Sequence, residues 1–190
     1  MGFRTGEYRE VRDVIFSPAG KRTEQRMGPS RNTLTRLILT KEDFRDIREI
    51  QPFLFTPDQL RLYDIRFRGE ETIEEGECYL LQVRPRQTLE GQRLFDGLFW
   101  IAKQDFSIVR SEGKAVPEIL RTKSENLFPR FTTFRSLVDG KHWFPARTHA
   151  DDVLPFRTGV QRIRLTILYS NYKRFTAESQ IVFGEEVRGR

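Results

Sequence analysis

The chain has 190 residues, 37% hydrophobic and 12% aromatic, with 16 Phe, and 33 basic against 27 acidic side chains for a formal charge of +6. That length suits one domain with a substantial core, and the phenylalanines favour strands over a helical bundle, where Leu and Ala would dominate. A mean hydropathy of −0.58, with no apolar run approaching ~18 residues, excludes a transmembrane helix.

The first ten residues, MGFRTGEYRE, contain no apolar h-region and so no signal peptide. Strand-like sequence directly after Met-Gly suggests a trimmed N-terminus, so the missing signal says nothing about export. Residues 7–16 read as a strand. Ser17-Pro18-Ala19-Gly20 supplies a tight turn, and 21–27 returns antiparallel. Arginine alternates with acid here, as in Tyr8-Arg9-Glu10-Val11-Arg12-Asp13. The positive balance, with a pI near 9.7, is therefore spread over a solvated face and forms no basic block of the kind a nucleic-acid groove presents.

After a further β-patterned stretch at 34–39 the signals change. Thr40 is a good N-cap, Glu42 and Asp43 complement the helix dipole, and Leu39 with Phe44 form a hydrophobic staple. This helix is expected to reach about Ile50 and stop before Pro52. Phe53-Leu54-Phe55 follows. A second helical turn then opens at Thr56, with Pro57 at N1, Gln59 completing a capping box, and Phe55 and Leu60 as a staple. Two short helical pieces joined by an apolar bridge are expected to lie over an open face or end of a sheet.

Residues 63–68 and 77–84 form a predicted hairpin across the acidic segment 69–76 (GEETIEEG). That segment lacks the spacing of a calcium loop and reads as a solvated loop. Cys78 is the only cysteine. It has no disulfide partner or zinc co-ligand, and its apolar surroundings make it a buried small residue. The stretch 94–114, LFDGLFWIAKQDFSIVRSEGK, carries most information. Leu94, Leu98 and Trp100 share one face of a strand, and Phe95, Phe99 and Ile101 the other, before a polar turn at Lys103-Gln104-Asp105. A hairpin with aromatics on both faces needs cover on both, so it belongs mid-sheet.

Asp139-Gly140, between 131–138 and 142–150, is the strongest short hairpin signal. Residues 151–159 read as a loop. Residues 162–172 alternate cleanly, with Ile163, Leu165, Ile167 and Tyr169 facing one way. A last strand is expected at 175–183. About ten strands with short connections predict a large antiparallel sheet or barrel of nine to eleven strands.

No catalytic chemistry emerges. His142 and His149, seven residues apart on one predicted strand, project to opposite faces and make no metal pair. There is no nucleophile elbow, P-loop or dinucleotide fingerprint. Asp151 and Asp152 are adjacent, whereas a glycosidase needs two carboxylates facing across a cleft. The expectation is a non-enzyme without cofactor. The inward apolar residues either fill a core or line a cavity, and pattern alone leaves both open.

The phrase W-I-x-x-x-D-x-x-I-V-R-x-E at 100–112 resembles the central hairpin of LolA/LolB-like half-barrels, the carriers of outer-membrane lipoprotein sorting. Blocks 39–65, 125–152 and 163–175 likewise resemble a LolA-like family found in Acidobacteria and related bacteria. The resemblance implies a mainly β fold in one domain: a large curved antiparallel sheet forming an open half-barrel, with short helices covering its concave face, and a native signal and first helix expected upstream of this sequence. It also implies a periplasmic or envelope location and a cavity that receives lipid or lipoprotein acyl chains, as carrier or as sensor. Phe99, Ile101, Leu165 and Ile167 would then line the cavity, and Phe44, Phe53 and Phe55 its lid. The alternative is a protein-interaction or structural domain with a filled interior. Nucleic acid is not an expected partner.

Overall fold

The computed structural model describes residues 6–16, 22–50, 57–88, 91–121 and 124–174. At the N-terminal end β1 (Tyr8–Arg9), β2 (Arg12–Phe16), β3 (Arg22–Arg26) and β4 (Arg31–Asn32) form two small ladders, β1 with β4 and β2 with β3. The single strand expected at 7–16 is thus broken at Glu10-Val11, and 34–39 is not a strand. The interspersed charges find each other at this break. Arg12 reaches Glu10 at 2.7 Å and Glu24 at 3.0 Å, and Arg22 reaches Glu24 at 2.6 Å.

Helix α1 (Lys41–Glu49) starts where its cap predicts. Thr40 Oγ1 accepts from Asp43 N–H at 3.2 Å, and the Asp43 carboxylate accepts from Thr40 N–H at 2.7 Å. The capping box is closed by Asp43, one carbon shorter than the usual Glu. A second helical turn, α2 (Pro57–Leu60), begins at the expected proline. Phe53 and Phe55 lie outside the described residues.

The main sheet comprises β5 (Tyr63–Ile73), β6 (Gly76–Pro85), β7 (Leu94–Ala102), β8 (Ile108–Val116), β11 (Phe131–Val138), β12 (His142–Phe156) and β13 (Gly159–Leu168). A small ladder of β9 (Ile119–Arg121) with β10 (Ser124–Asn126) stands apart. The sheet is antiparallel throughout, in the order β13-β12-β11-β8-β7-β6-β5, and β5 and β13 do not meet. Among the described residues it therefore has seven strands, fewer than the nine to eleven expected. The other strands pair in separate two-stranded ladders, and the strand expected at 175–183 lies outside the described residues.

Two segments expected as loops are strand. The acidic stretch continues β5 to Ile73, and the turn is confined to Glu74-Glu75. Two of its carboxylates are matched across the sheet: Lys103 Nζ lies 2.6 Å from Glu70 and 3.5 Å from Glu77 of β6, and Glu71 accepts from Trp100 Nε1 at 2.9 Å. Likewise β12 runs on to Phe156, because Asp151 is clasped by Arg162 and Arg164 of β13 and Leu154 is buried. The Asp139-Gly140 turn forms as expected. Both residues have positive φ (53° and 64°), and Lys141 N–H donates to Val138 O at 3.1 Å, the pattern of a type I′ turn.

Register fixes the two faces. One row crosses the sheet as Ile167, Thr148, Thr133, Ser111, Phe99, Leu81 and Phe67; another, on the opposite face, as Leu168, Arg147, Phe134, Arg110, Trp100, Leu80 and Gly69. Each face has its own apolar cluster. Phe95, Phe99, Phe131, Val83 and Ala115 form the larger, against which Ile47 and Ile50 of the helix region pack. Cys78, Trp100, Ala102 and Val109 form the smaller. The two-faced reading of the central hairpin holds except at Leu94, which joins the Phe95 cluster.

Candidate ligand-binding face

The larger cluster is built on β7. Phe95 stacks on Phe99 with ring centroids 5.2 Å apart and meets Phe131 at 6.0 Å, and Phe131 meets Phe128 at 6.3 Å. Of the residues expected to line a cavity, Phe99 is buried in this cluster, and Ile101 and Leu165 pack against it half-buried. Ile167 is half-buried on the same face, opposite Thr148. Phe44 is elsewhere. Its ring meets Tyr8 edge-on at 5.6 Å, with the Arg12 guanidinium 5.9 Å from its centroid, so it fastens α1 to the N-terminal ladders.

Sequence reading missed a polar seam in this face. The alternation that turns Phe131 inward also turns in Thr133 and Arg135, both buried. Thr133 Oγ1 lies 2.8 Å from Thr148 Oγ1, which lies 3.3 Å from the Tyr169 hydroxyl, and Arg135 donates to Ser111 Oγ at 3.4 Å. Burial brings the Arg135 guanidinium down to about 10, against the nearby Tyr169 and Tyr172, and pushes the Tyr172 hydroxyl up to about 12. The hydroxyls thus satisfy one another inside an apolar layer, where an unmatched polar group would be costly.

Toward β5 the face opens. Leu81 and Tyr79 lead from Phe99 and Ile101 to Ile65 and Phe67, which are 38% and 61% exposed. Tyr79 meets Phe67 edge-on at 6.2 Å and stacks on Phe106 at 6.3 Å. Phe106 is itself exposed and sits at a positive φ of 58°.

The opposite face has different chemistry. Arg110 lies over Trp100 (4.5 Å) and Phe134 (5.4 Å), and Arg147 covers Phe134 at 5.1 Å. A shallow depression of about 420 Å3 there is lined by Glu112, Arg130, Thr132, His149, Ala150, Asp151 and Asp152. Its carboxylates are engaged. Arg130 N–H donates to Asp152 at 3.0 Å, and hydrogen bonds from Arg162 hold Asp151 down to about 2. A carboxylate held as low as that of Asp151 is a poor general base at neutral pH. A second depression, about 370 Å3, lies at the hairpin tips between Glu75, Glu77, Lys103, Asp105 and Trp143.

His142 and His149 are both exposed. The register slips by one at Ala146, so the two histidines share one side of the sheet and do not project to opposite faces as expected. Their partners Val138 and Thr132 are six residues apart on β11, about 20 Å of strand. Among the described residues no group of three His, Cys, Asp or Glu is placed to hold a metal ion. Cys78 is fully buried, as expected, and burial pushes its thiol up, away from reactive thiolate.

Comparison with family models, with curated proteins and with solved structures finds no match for this chain. Fold and site define an open antiparallel sheet with one face apolar, in contact with the helix region and exposed at one rim, and the other face ridged by arginine and aromatic rings.

Proposed function

We propose that this chain is a non-catalytic binding domain of the bacterial envelope, periplasmic in location. It takes a lipid or the acyl chains of a lipoprotein against the apolar face of an open half-barrel, with the helical pieces of residues 41–60 as cover. The observation that carries this reading is the continuity of the apolar face. It passes from the Phe95–Phe99 interior to Ile65 and Phe67 at 38% and 61% exposure, a surface that only an apolar ligand or partner would desolvate with profit. The resemblance of the 100–112 hairpin and its flanking blocks to LolA-like proteins supplies the ligand class and the location. Nucleic acid fits less well, because the aromatic rings of the other face are already covered by Arg110 and Arg147 and leave no open platform for bases.

Titration with a fluorescent fatty acid tests the reading, alongside native mass spectrometry and lipid extraction of protein purified from bacteria. The parent should carry or bind an acyl species. The Ile65→Ser, Phe67→Ser double variant should bind about tenfold or more weakly, since each lost apolar contact is worth about 1 kcal/mol, with its denaturation midpoint nearly unchanged. No retained lipid and no binding by the parent would defeat it.

A second reading, a protein-interaction or structural domain, draws on the tight interior: Phe95, Phe99 and Phe131 are 0%, 2% and 1% exposed. There the exposed rim of β5 would receive a strand of an envelope protein, and lipid extraction would come back empty.

A further inference from the structure

Helix α1 meets the sheet through a buried charge. Asp46 is 0% exposed, and the Arg93 guanidinium just before β7 lies 3.1 Å from its Oδ2. The two partners are unequally provided for. Arg93 donates to Asn126 Oδ1 at 3.0 Å and has the carbonyls of Asn126 and Ala115 at 3.4 and 3.5 Å. Among the described residues neither carboxylate oxygen of Asp46 has a hydrogen-bond partner, and on Arg93 only Nε lacks one, so the contact between the two is close but off axis. Asn126 also donates to Thr40 Oγ1 at 3.4 Å, tying the helix cap to the same centre. An ionised carboxylate with a single cation in contact and no hydrogen bonds is the costly member of such a pair, while the guanidinium keeps its carbonyl acceptors either way.

We propose that Asp46 is a proton-operated latch: α1 docks on the sheet with Asp46 protonated and loosens as this carboxyl ionises. The charges that act on it are Asp43, Arg45 and Glu49 from its own helix and Arg93 from the sheet side, and Glu118 acts on Arg93. Asp43 and Glu49 oppose ionisation of Asp46, while Arg45 and Arg93 favour it. Burial outweighs the cations and carries Asp46 up to about 7, and it pushes Arg93 down as well. The undocked helix would return Asp46 to its ordinary value of 3.8. The docked form therefore binds the proton more tightly. Docking is strongest below about pH 4, weakens up to about tenfold per unit as pH rises to about 7, and is level above that. On the functional reading above, this couples access to the apolar face to pH, but the latch itself does not depend on what that face binds.

Hydrogen exchange of the full chain without ligand tests the helix directly. Protection of the α1 amides, corrected for intrinsic exchange and referred to β7 and β8, should fall at least about tenfold between pH 5 and 7.5. Asp46→Asn, which keeps the neutral shape, should hold the pH 5 protection at both values. Three outcomes overturn the proposal: a flat wild-type profile; an Asp46→Asn protein that still loosens with pH; or an Asp46→Asn protein loosened or unfolded at both pH values. The last would mean that the ion pair itself holds the helix. Because no ligand is present, failure here leaves the binding reading standing, and the reverse.

Discussion

Two glycines set how closely the central strands pack. Gly97 and Gly113 face each other across β7 and β8, and the ring of Phe95 lies over both. A Cβ on Gly97 would fall on the carbonyl of Glu112 and come within 2.6 Å of Gly113 Cα and of Phe95 Cζ; one on Gly113 would meet the Asp96 carbonyl and the same ring carbon at 2.6 Å. Neither glycine needs positive φ, so what excludes a side chain is space. The phenyl ring takes the volume two side chains would have filled, and this is why Phe95 can be completely buried beside them. Gly97→Ala and Gly113→Ala should each destabilise the fold by about 2 kcal/mol or more, from the middle of the usual cost of overpacking upward, read from urea midpoints at constant slope.

At the scale of elements, local signals and long-range pairings part company. The start of α1, the Asp139-Gly140 turn and the two-faced β7 were legible because each is written within a few residues: a cap, a turn dipeptide, an alternation. What was not legible was how distant charges would be spent. The acids of 69–76 look like a loop in isolation; Lys103 and Trp100, about thirty positions on, make them strand. Asp151 looks like loop until Arg162 and Arg164 lie beside it. Nothing in the local sequence links Asp46 to Arg93, and only the docking of α1 buries them together. Phe44 was placed in the lid by the resemblance, which does not say which neighbour its ring meets. The α1 cap gives a prediction at this scale. Thr40→Ala removes both the bond to Asp43 N–H and the acceptor for Asn126, and should cost about 1 kcal/mol by thermal or urea unfolding. The loss should be concentrated in α1 when hydrogen exchange is followed, because the sheet ladders do not depend on that hydroxyl.

For the molecule as a whole, the exposed rim of the apolar face and the buried interior belong to one continuous layer, so whatever covers Ile65 and Phe67 also shields the larger cluster. Helix α1 stands on that same layer. Its proton-dependent docking and occupation of the rim are consequently separate measurements on one surface, the first followed by amide exchange and the second by titration with a fluorescent acyl probe.

A sheet that does not close ends in two rows of main-chain donors and acceptors. Among the described residues nothing pairs with the outer side of β5 or of β13. Charge stands along those rims, alternating on the first with the exposed Ile65 and Phe67: Asp64, Arg66 and Arg68 on the first, Arg162 and Arg164 on the second, all with side chains well exposed or ion-paired at the surface. Like-charged arginines on approaching strands keep copies from zipping together edge to edge. That protection acts through solvent, over about 10 Å at 0.1 M salt and about 3 Å at 1 M. Colloidal behaviour should therefore run opposite to that of a closed barrel. In light scattering, association should rise with ionic strength, and Arg66→Ser with Arg68→Ser should bring it on already in dilute buffer. Scattering that stays flat with salt in both proteins would mean that the rims are guarded by something other than their arginines.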